Sequence, residues 1–315
     1  MIIIIQVPCF NEESTLDDVI SGIPIFKQKN LFQSIAVIDD GSSDRTVEKS
    51  QELGVEQILS HKTNLGLGAA FRTGLEYAIQ QRADILVNTD GDNQYPSRYI
   101  PDLIQPILDG TADIVIGNRQ TSQVQHFSMF KKSMQWFGTR LVSILIGEPN
   151  IKDAVSGFRA YNRKAMLQLN VTSKFSYVLD TTIQAKMKGL RIASVDIETN
   201  PPTRPSRLFR NNFHHIRKSA MDIIRVYAMY RPMRVFFWIG IVFLLIGSYP
   251  MILFLLDYLL IGEGEGKIQS LIFGSTFIII GVLVLALGII ADLLAKNRML
   301  IERVLLNEKK KGHEI

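Results

Sequence analysis

Three acidic stretches lie within the first third of the chain: Pro8-Cys9-Phe10-Asn11-Glu12-Glu13, Asp39-Asp40-Gly41-Ser42-Ser43-Asp44 and Asp90-Gly91-Asp92-Asn93-Gln94. Clustered carboxylates repel one another unless a cation or hydrogen-bond donors compensate them. Asp90 and Asp92 put two hard oxygen donors close together, and the glycine between them permits a tight backbone path. Mg2+ or Mn2+ is the natural partner. Such an ion keeps coordination places for water and for the phosphates of a diphosphate-bearing substrate. A bare Asp-x-Asp is more often a plain turn. Its place after an apolar run, with the Asp39 loop two strands away, favours the metal reading.

The elements that must position these residues follow from periodicity. Short runs rich in isoleucine and valine at Ile2–Val7, Ile35–Ile38, Gln57–Leu59, Ile85–Thr89 and Asp113–Ile116 alternate with segments of helical spacing. That is a βαβα pattern, which predicts an α/β fold with a mostly parallel sheet and helices on both faces. Ser14 is placed to cap a helix carrying Leu16, Val19 and Ile20, and Asp44 one carrying Val47 and Leu53. Ligands of such sheets bind beyond the carboxyl ends of the strands, where the acidic stretches fall. Asn64–Gly74, NLGLGAAFRTG, lacks both the dinucleotide-binding spacing and the P-loop ending. Its glycines let a helix begin close to a nucleotide or to the sheet. Arg72, one turn in, is either a phosphate contact or a solvated helix residue. His61 reads as an ordinary loop position. The single cysteine, Cys9, forms no internal disulfide and fits a reducing compartment.

The last quarter belongs to a different environment. Val235–Leu260 carries only Asp257 as a charge and Leu271–Ala291 carries none, so each meets the roughly 20 residues needed to cross a ~30 Å hydrocarbon layer. The short connection Ile261–Ser270 makes the two helices an antiparallel hairpin. Arg225, Arg231 and Arg234 precede the first span, and Lys296, Arg298, Arg303 and Lys309–Lys311 follow the second, so both termini are expected on the cytoplasmic side. The formal net charge of +5 concentrates in these flanks, which suits an anionic membrane surface rather than a nucleic acid. The expected organisation is a cytosolic domain at 1–209, an amphipathic juxtamembrane helix at 210–234, two transmembrane helices within 235–295 (about 235–260 and 271–292), and a basic cytosolic tail at 296–315.

The pieces VPCFNEE, VIDDGSSDRT, NLGLGAAFRTG, NTDGDNQYP, DIVIGNR, DAVSGFRAYNR and TRPSRLF, in this order over Ile2–Phe209, resemble the family 2 glycosyltransferases. The likeness is strongest to the branch that includes dolichyl-phosphate mannose synthases and bacterial polyprenyl-phosphate glycosyltransferases. The resemblance implies a GT-A fold and an inverting transfer from a UDP- or GDP-linked sugar to a polyprenyl phosphate, at the inner membrane of a bacterium. Carried over by motif, Pro8, Phe10, Asn11, Glu12 and Asp39, with Asp40 and Arg72 beside them, line the nucleotide-sugar pocket. Asp90 and Asp92 face the metal and the diphosphate, with Gln94 nearby. Arg119, Lys131, Arg204 and Arg207 match the positions that hold the lipid phosphate. An ionised phosphate needs no protein base. A hydroxyl acceptor does, and Asp153 and Asp180 are then the candidates, each otherwise structural. The chain departs from the mannose synthases in having Asp-Gly-Asp with Asn93 where they often show a DAD-type sequence, and in its NPPTRPSRLF segment, which leaves sugar and acceptor identity open. Two rival readings stand beside this one: a membrane-anchored transferase with a saccharide or other hydroxyl acceptor, and an inactive membrane scaffold of the same fold. Homo-oligomerisation also stays open.

Overall fold

In the computed structural model, residues 1–26, 30–120, 139–140, 143, 152–171, 177–201, 225, 227–261 and 268–311 are described. They fall into two units, one holding the sheet and the other, Ile224–Glu308, holding two long helices.

The sheet unit runs β1 (Ile2–Cys9), α1 (Leu16–Ser21), β2 (Phe32–Asp39), α2 (Thr46–Glu52), β3 (Gln57–Ser60), α3 (Leu67–Gln80), β4 (Ile85–Asn88), α4 (Ile100–Leu108), β5 (Ile114–Asn118), β6 (Arg159–Asn162), α5 (Arg163–Gln168), α6 (Tyr177–Met187) and β7 (Ile192–Asp196). The strand order is β3-β2-β1-β4-β6-β5-β7. All pairs are parallel except those of β6, which runs against both β4 and β5. The five expected strands are thus present. β6 and β7 were not foreseen, because the four residues of RAYN carry no periodic signal.

Side chains alternate across a strand, so the isoleucines of β1 divide between two cores. Ile3, Ile5 and Val7 pack with Leu16 and Val19 of α1 and Leu103 of α4. Ile4 packs with Ala36 and Ile38 of β2, Phe71 and Leu75 of α3 and Tyr177 of α6. Burial on both faces explains why β1 reads as a continuous apolar run. Gln6 is the polar exception. It lies beneath α3, where a Cβ on Gly74 would collide with its Oε1, so the glycine lets the helix lie directly on the sheet. The helix starts differ in detail from expectation. Thr15, not Ser14, precedes α1, whereas Asp44 Oδ1 accepts the Thr46 N–H at the start of α2 at 3.0 Å.

In the second unit, α7 (Pro232–Ile261) and α8 (Ile268–Lys311) are long and apolar enough to cross a membrane, and only 11% of each apolar window is buried. Core helices of a soluble fold bury what they keep apolar, so this exposure fits helices that face lipid. Added Cβ atoms would meet Leu285 at Gly240, the Gly274 carbonyl oxygen at 2.6 Å at Gly247, and Phe236 at Gly288. Contacts therefore descend along α8 as they ascend along α7, which makes an antiparallel hairpin closed at small residues, as helices pack in lipid. α8 continues well past residue 292, so the tail expected at 296–315 is helical as far as Lys311.

Candidate active site

Register brings the acidic stretches to one sheet edge. Cys9 of β1 pairs with Asp39 of β2, and Gln6 of β1 with Asn88 of β4. The loops after three adjacent strands therefore emerge side by side, with strands about 4.8 Å apart. They are tied together through side chains. Asn11, held at φ 56, donates its N–H to Ser42 Oγ at 2.9 Å and accepts the Ser43 N–H on Oδ1 at 2.7 Å. The Glu12 N–H donates to Thr46 Oγ1 at 2.8 Å, and the Thr15 hydroxyl donates to the Gly91 carbonyl at 2.7 Å. The last bond latches the first acidic loop onto Asp90-Gly91-Asp92.

The glycine between the two aspartates has a specific steric cause. A Cβ there would stand 2.8 Å from Cys9 Sγ, 3.2 Å from the Pro8 carbonyl oxygen and 3.3 Å from Glu12 Cγ. Cys9 is buried and also lies in the field of all three stretches. Burial raises its thiol pKa well above the usual value, and the charges of Glu12, Asp39 and Asp90 add to the effect.

Asp90 is half-buried, with Oδ1 shut away from solvent and accepting no hydrogen bond among the described residues. Burial first, then the charge of Asp92, pushes its carboxyl up to about 7, while Arg119 pulls it down. Asp92 Oδ1 accepts the Gln94 N–H at 3.1 Å, closing the turn. Opposite Asp90 is a wall that the sequence did not disclose. Gly157 comes so close that its Cβ would sit 3.0 Å from Asp90 Oδ2. Its carbonyl accepts Asn88 Nδ2 and the Tyr177 hydroxyl, each at 2.9 Å, and its N–H donates to the Tyr95 hydroxyl at 3.2 Å. Arg159 braces the same loop. Fully buried, it donates to the carbonyls of Ala154 and Ser156 and to Val178, Thr181 and Thr182 of α6.

The expected site residues separate into groups. Pro8, Asn11, Glu12, Asp39, Asp90, Asp92 and Gln94 gather at the strand tips, with Phe10 between Cys9 and Asn11 in the same loop. Asp39 accepts the Ser42 N–H on Oδ1 at 3.1 Å. Asp40 is turned inward and buried. Its oxygens accept the N–H groups of Leu65 and Gly66 at 2.9 and 2.8 Å and meet His61 Nδ1 at 2.7 Å. It thereby holds the turn that leads into α3, and His61, whose Nε2 meets Thr73 Oγ1 at 2.9 Å, is no ordinary loop residue. Arg72 is exposed on the surface of α3. Asp153, the candidate base for a hydroxyl acceptor, is held in a buried ion pair. Arg119 grips it through Nε at 2.7 Å and Nη2 at 3.0 Å, and although burial pushes its carboxyl up, Arg119 holds it below the usual range. Asp180 is buried on α6, where Gln184 Nε2 donates to it at 2.8 Å. Lys131, Arg204 and Arg207 lie outside the described residues.

A divalent cation fits this donor set. Among the described residues no three His, Cys, Asp or Glu side chains form a ready-made cage. Mg2+ and Mn2+, however, are commonly held by one or two carboxylates together with substrate phosphates. The buried, unbonded Asp90 Oδ1 beside Asp92 is the kind of oxygen such an ion would compensate.

A mostly parallel sheet with flanking helices and carboxylates at adjoining strand tips is the arrangement expected of a GT-A fold. The comparisons with known proteins agree. Residues 4–169 match the family model described as glycosyl transferase family 2, more than half of the chain, and the chain belongs to that family. It is 28% identical to an undecaprenyl-phosphate mannosyltransferase of Micrococcus luteus, over 52% of this chain and 70% of the relative. It is 29% identical to a dolichol-phosphate mannosyltransferase of Pyrococcus furiosus, over 59% of each. Identity is 28% to a UDP-N-acetylglucosamine–dolichyl-phosphate N-acetylglucosaminyltransferase of Methanococcus voltae, over 63% of this chain and 85% of the relative. Among solved structures, glucosyl-3-phosphoglycerate synthase of Mycobacterium tuberculosis, in complex with Mn2+ and UDP-glucose, superposes with a TM-score of 0.54. At 21% identity, over 71% of this chain and 78% of that one, this likeness shows the fold.

Proposed function

We propose that the protein is an inverting transferase that moves a sugar from a UDP- or GDP-linked donor to a polyprenyl phosphate, with its catalytic domain and both termini on the cytoplasmic side of the membrane that α7 and α8 cross. The observation that carries the proposal is the Asp90–Asp92 turn, held against Cys9 and Gly157 at the tip of a central strand with one carboxylate oxygen unbonded. The lipid phosphates in the names of the relatives support the acceptor class. The basic flanks of the hairpin support its orientation.

In this reading Pro8, Phe10, Asn11, Glu12 and Asp39 enclose the nucleotide, and the bonds between Asn11 and Ser42–Ser43 keep that wall shaped before the donor arrives. Asp90 and Asp92, with Gln94, would hold Mg2+ or Mn2+, which when bound supplies positive charge to the leaving diphosphate. Asp153 spends Nε and Nη2 of Arg119, leaving Nη1 for the acceptor phosphate beside Lys131, Arg204 and Arg207. The ionised phosphate is its own nucleophile, which agrees with Asp153 being locked in an ion pair rather than poised as a base.

The test is transfer from radiolabelled UDP- and GDP-sugars in membranes carrying the protein, with and without Mn2+. Label that extracts into organic solvent only when metal is present supports the proposal. A water-soluble product would point to the saccharide acceptor, and metal-dependent donor binding without turnover to the scaffold.

A further inference from the structure

α8 is longer than a membrane requires. At 1.5 Å per residue its 44 residues reach about 66 Å, whereas the hydrocarbon layer takes ~30 Å. The uncharged stretch ends at Ala291, so from Asp292 to Lys311 the helix projects about 28 Å beyond the apolar layer.

This projecting part has two unlike faces. One is already occupied: Ala295 is buried, Arg298 lies over the Tyr230 ring at 5.0 Å, and Arg298 pairs with Glu302 at 3.0 Å. At about 100° per residue, the surface beside and opposite it carries Leu293, Leu294, Asn297, Leu300, Ile301 and Val304, whereas Leu305 falls on the Arg298 side. Its five apolar side chains are between 57% and 63% exposed. An apolar stripe of this extent outside the lipid requires a partner.

Spacing and the membrane together select the partner. Leu287, Ile290, Leu294, Asn297, Ile301 and Val304 follow one another at intervals of three and four, which is the seam of a left-handed coiled coil. Its single polar member is Asn297, at a d position. Copies inserted in one bilayer are parallel and stand at the same height, so the seam of one copy meets the identical seam of another in register. We propose that the projecting part of α8 is a self-association surface, on which a second copy of this chain packs as a parallel coiled coil along Leu294, Asn297, Ile301 and Val304. This inference rests on the membrane-spanning reading of the hairpin.

Cysteine cross-linking in native membranes tests it. Leu294→Cys, Ile301→Cys and Val304→Cys are compared with Lys296→Cys and Arg303→Cys, which lie off the seam, and with the wild-type chain, whose Cys9 is buried. Under mild oxidation, covalent dimer is expected for the three seam variants, and only wild-type background at 296 and 303. Equal yields at all five positions would reflect random collisions and overturn the proposal. So would background at every position, whether the stripe is then covered by the bilayer surface or by the rest of the same chain. Alkaline carbonate extraction of the same membranes keeps the two readings apart. Protein released to the supernatant refutes the spanning hairpin, whereas protein retained in the pellet without seam-specific dimer refutes the coiled coil alone.

Discussion

The tightest steric statement in the site concerns Gly91, and it can be worked through to a number. In Gly91→Ala the new methyl would lie 2.8 Å from Cys9 Sγ, closer than a carbon and a sulfur can approach, with the Pro8 carbonyl oxygen and Glu12 Cγ at 3.2 and 3.3 Å. Cys9 is buried in β1 and cannot swing away, so the loop bearing Asp90 and Asp92 must lift. Overpacking of this kind costs about 1–3 kcal/mol. In a domain of this size each kcal/mol lowers Tm by about 2–4 °C. Because the displaced groups are the two carboxylates, turnover should fall by more than the loss of folded protein accounts for. Cys9→Ala removes the closest contact, and the double variant should recover part of both losses, with a coupling energy of about 0.5–3 kcal/mol between the two positions. The assays are thermal unfolding in detergent and initial rates of sugar transfer for the four members of the cycle. A Gly91→Ala protein with wild-type Tm and rate would refute the reasoning, as would strictly additive effects. The same contact accounts for a glycine where the mannose synthases often show a DAD-type sequence: the neighbouring Cys9 and Glu12 leave no room for a methyl group.

Three further outcomes are expected. Asp92→Ala should abolish metal-dependent transfer while leaving membrane insertion intact, and near-normal turnover with Mn2+ would remove the metal assignment. Asp90, raised to about 7 when no cation is present, binds an extra proton in the folded state between its unfolded value of about 4 and about 7, so metal-free stability should decline as pH rises through that window and level off above it. Mn2+ replaces that proton, so its stabilising shift in Tm should grow over the same range, and a shift independent of pH would contradict this account. Asp153→Asn strips the buried Arg119 of its counter-charge and should destabilise the domain by about 3–5 kcal/mol in chemical denaturation. The stability held by Asp153 in the native protein is present above the ordinary carboxylate range and is lost only as pH falls through its depressed folded value.

Much of this protein is legible along the chain, because the information is local. The isoleucine and valine runs become β1 to β5 since a doubly covered strand must be apolar at every position, and the two long apolar stretches become helices since hydrocarbon leaves the backbone no other partner. Asp39, Asp90 and Asp92 could be picked out by the same logic, as polar residues placed just after buried strands. Contacts between distant segments had no such signature. Asp40 looks like Asp39 in sequence, and only the fold shows it turned inward onto His61 and the turn before α3. Asp153 and Arg119, expected to serve different purposes, neutralise each other across 34 residues. Gly157 and Arg159 reach the site at the start of β6, an antiparallel strand whose four residues carry no periodic signal, and Tyr177 reaches it from α6. Sequence alone determined which residues must avoid water and which must meet it. Tertiary structure decided which carboxylates gather at the strand tips and which are consumed in holding the loops, because that depends on partners brought close only once the strands have paired.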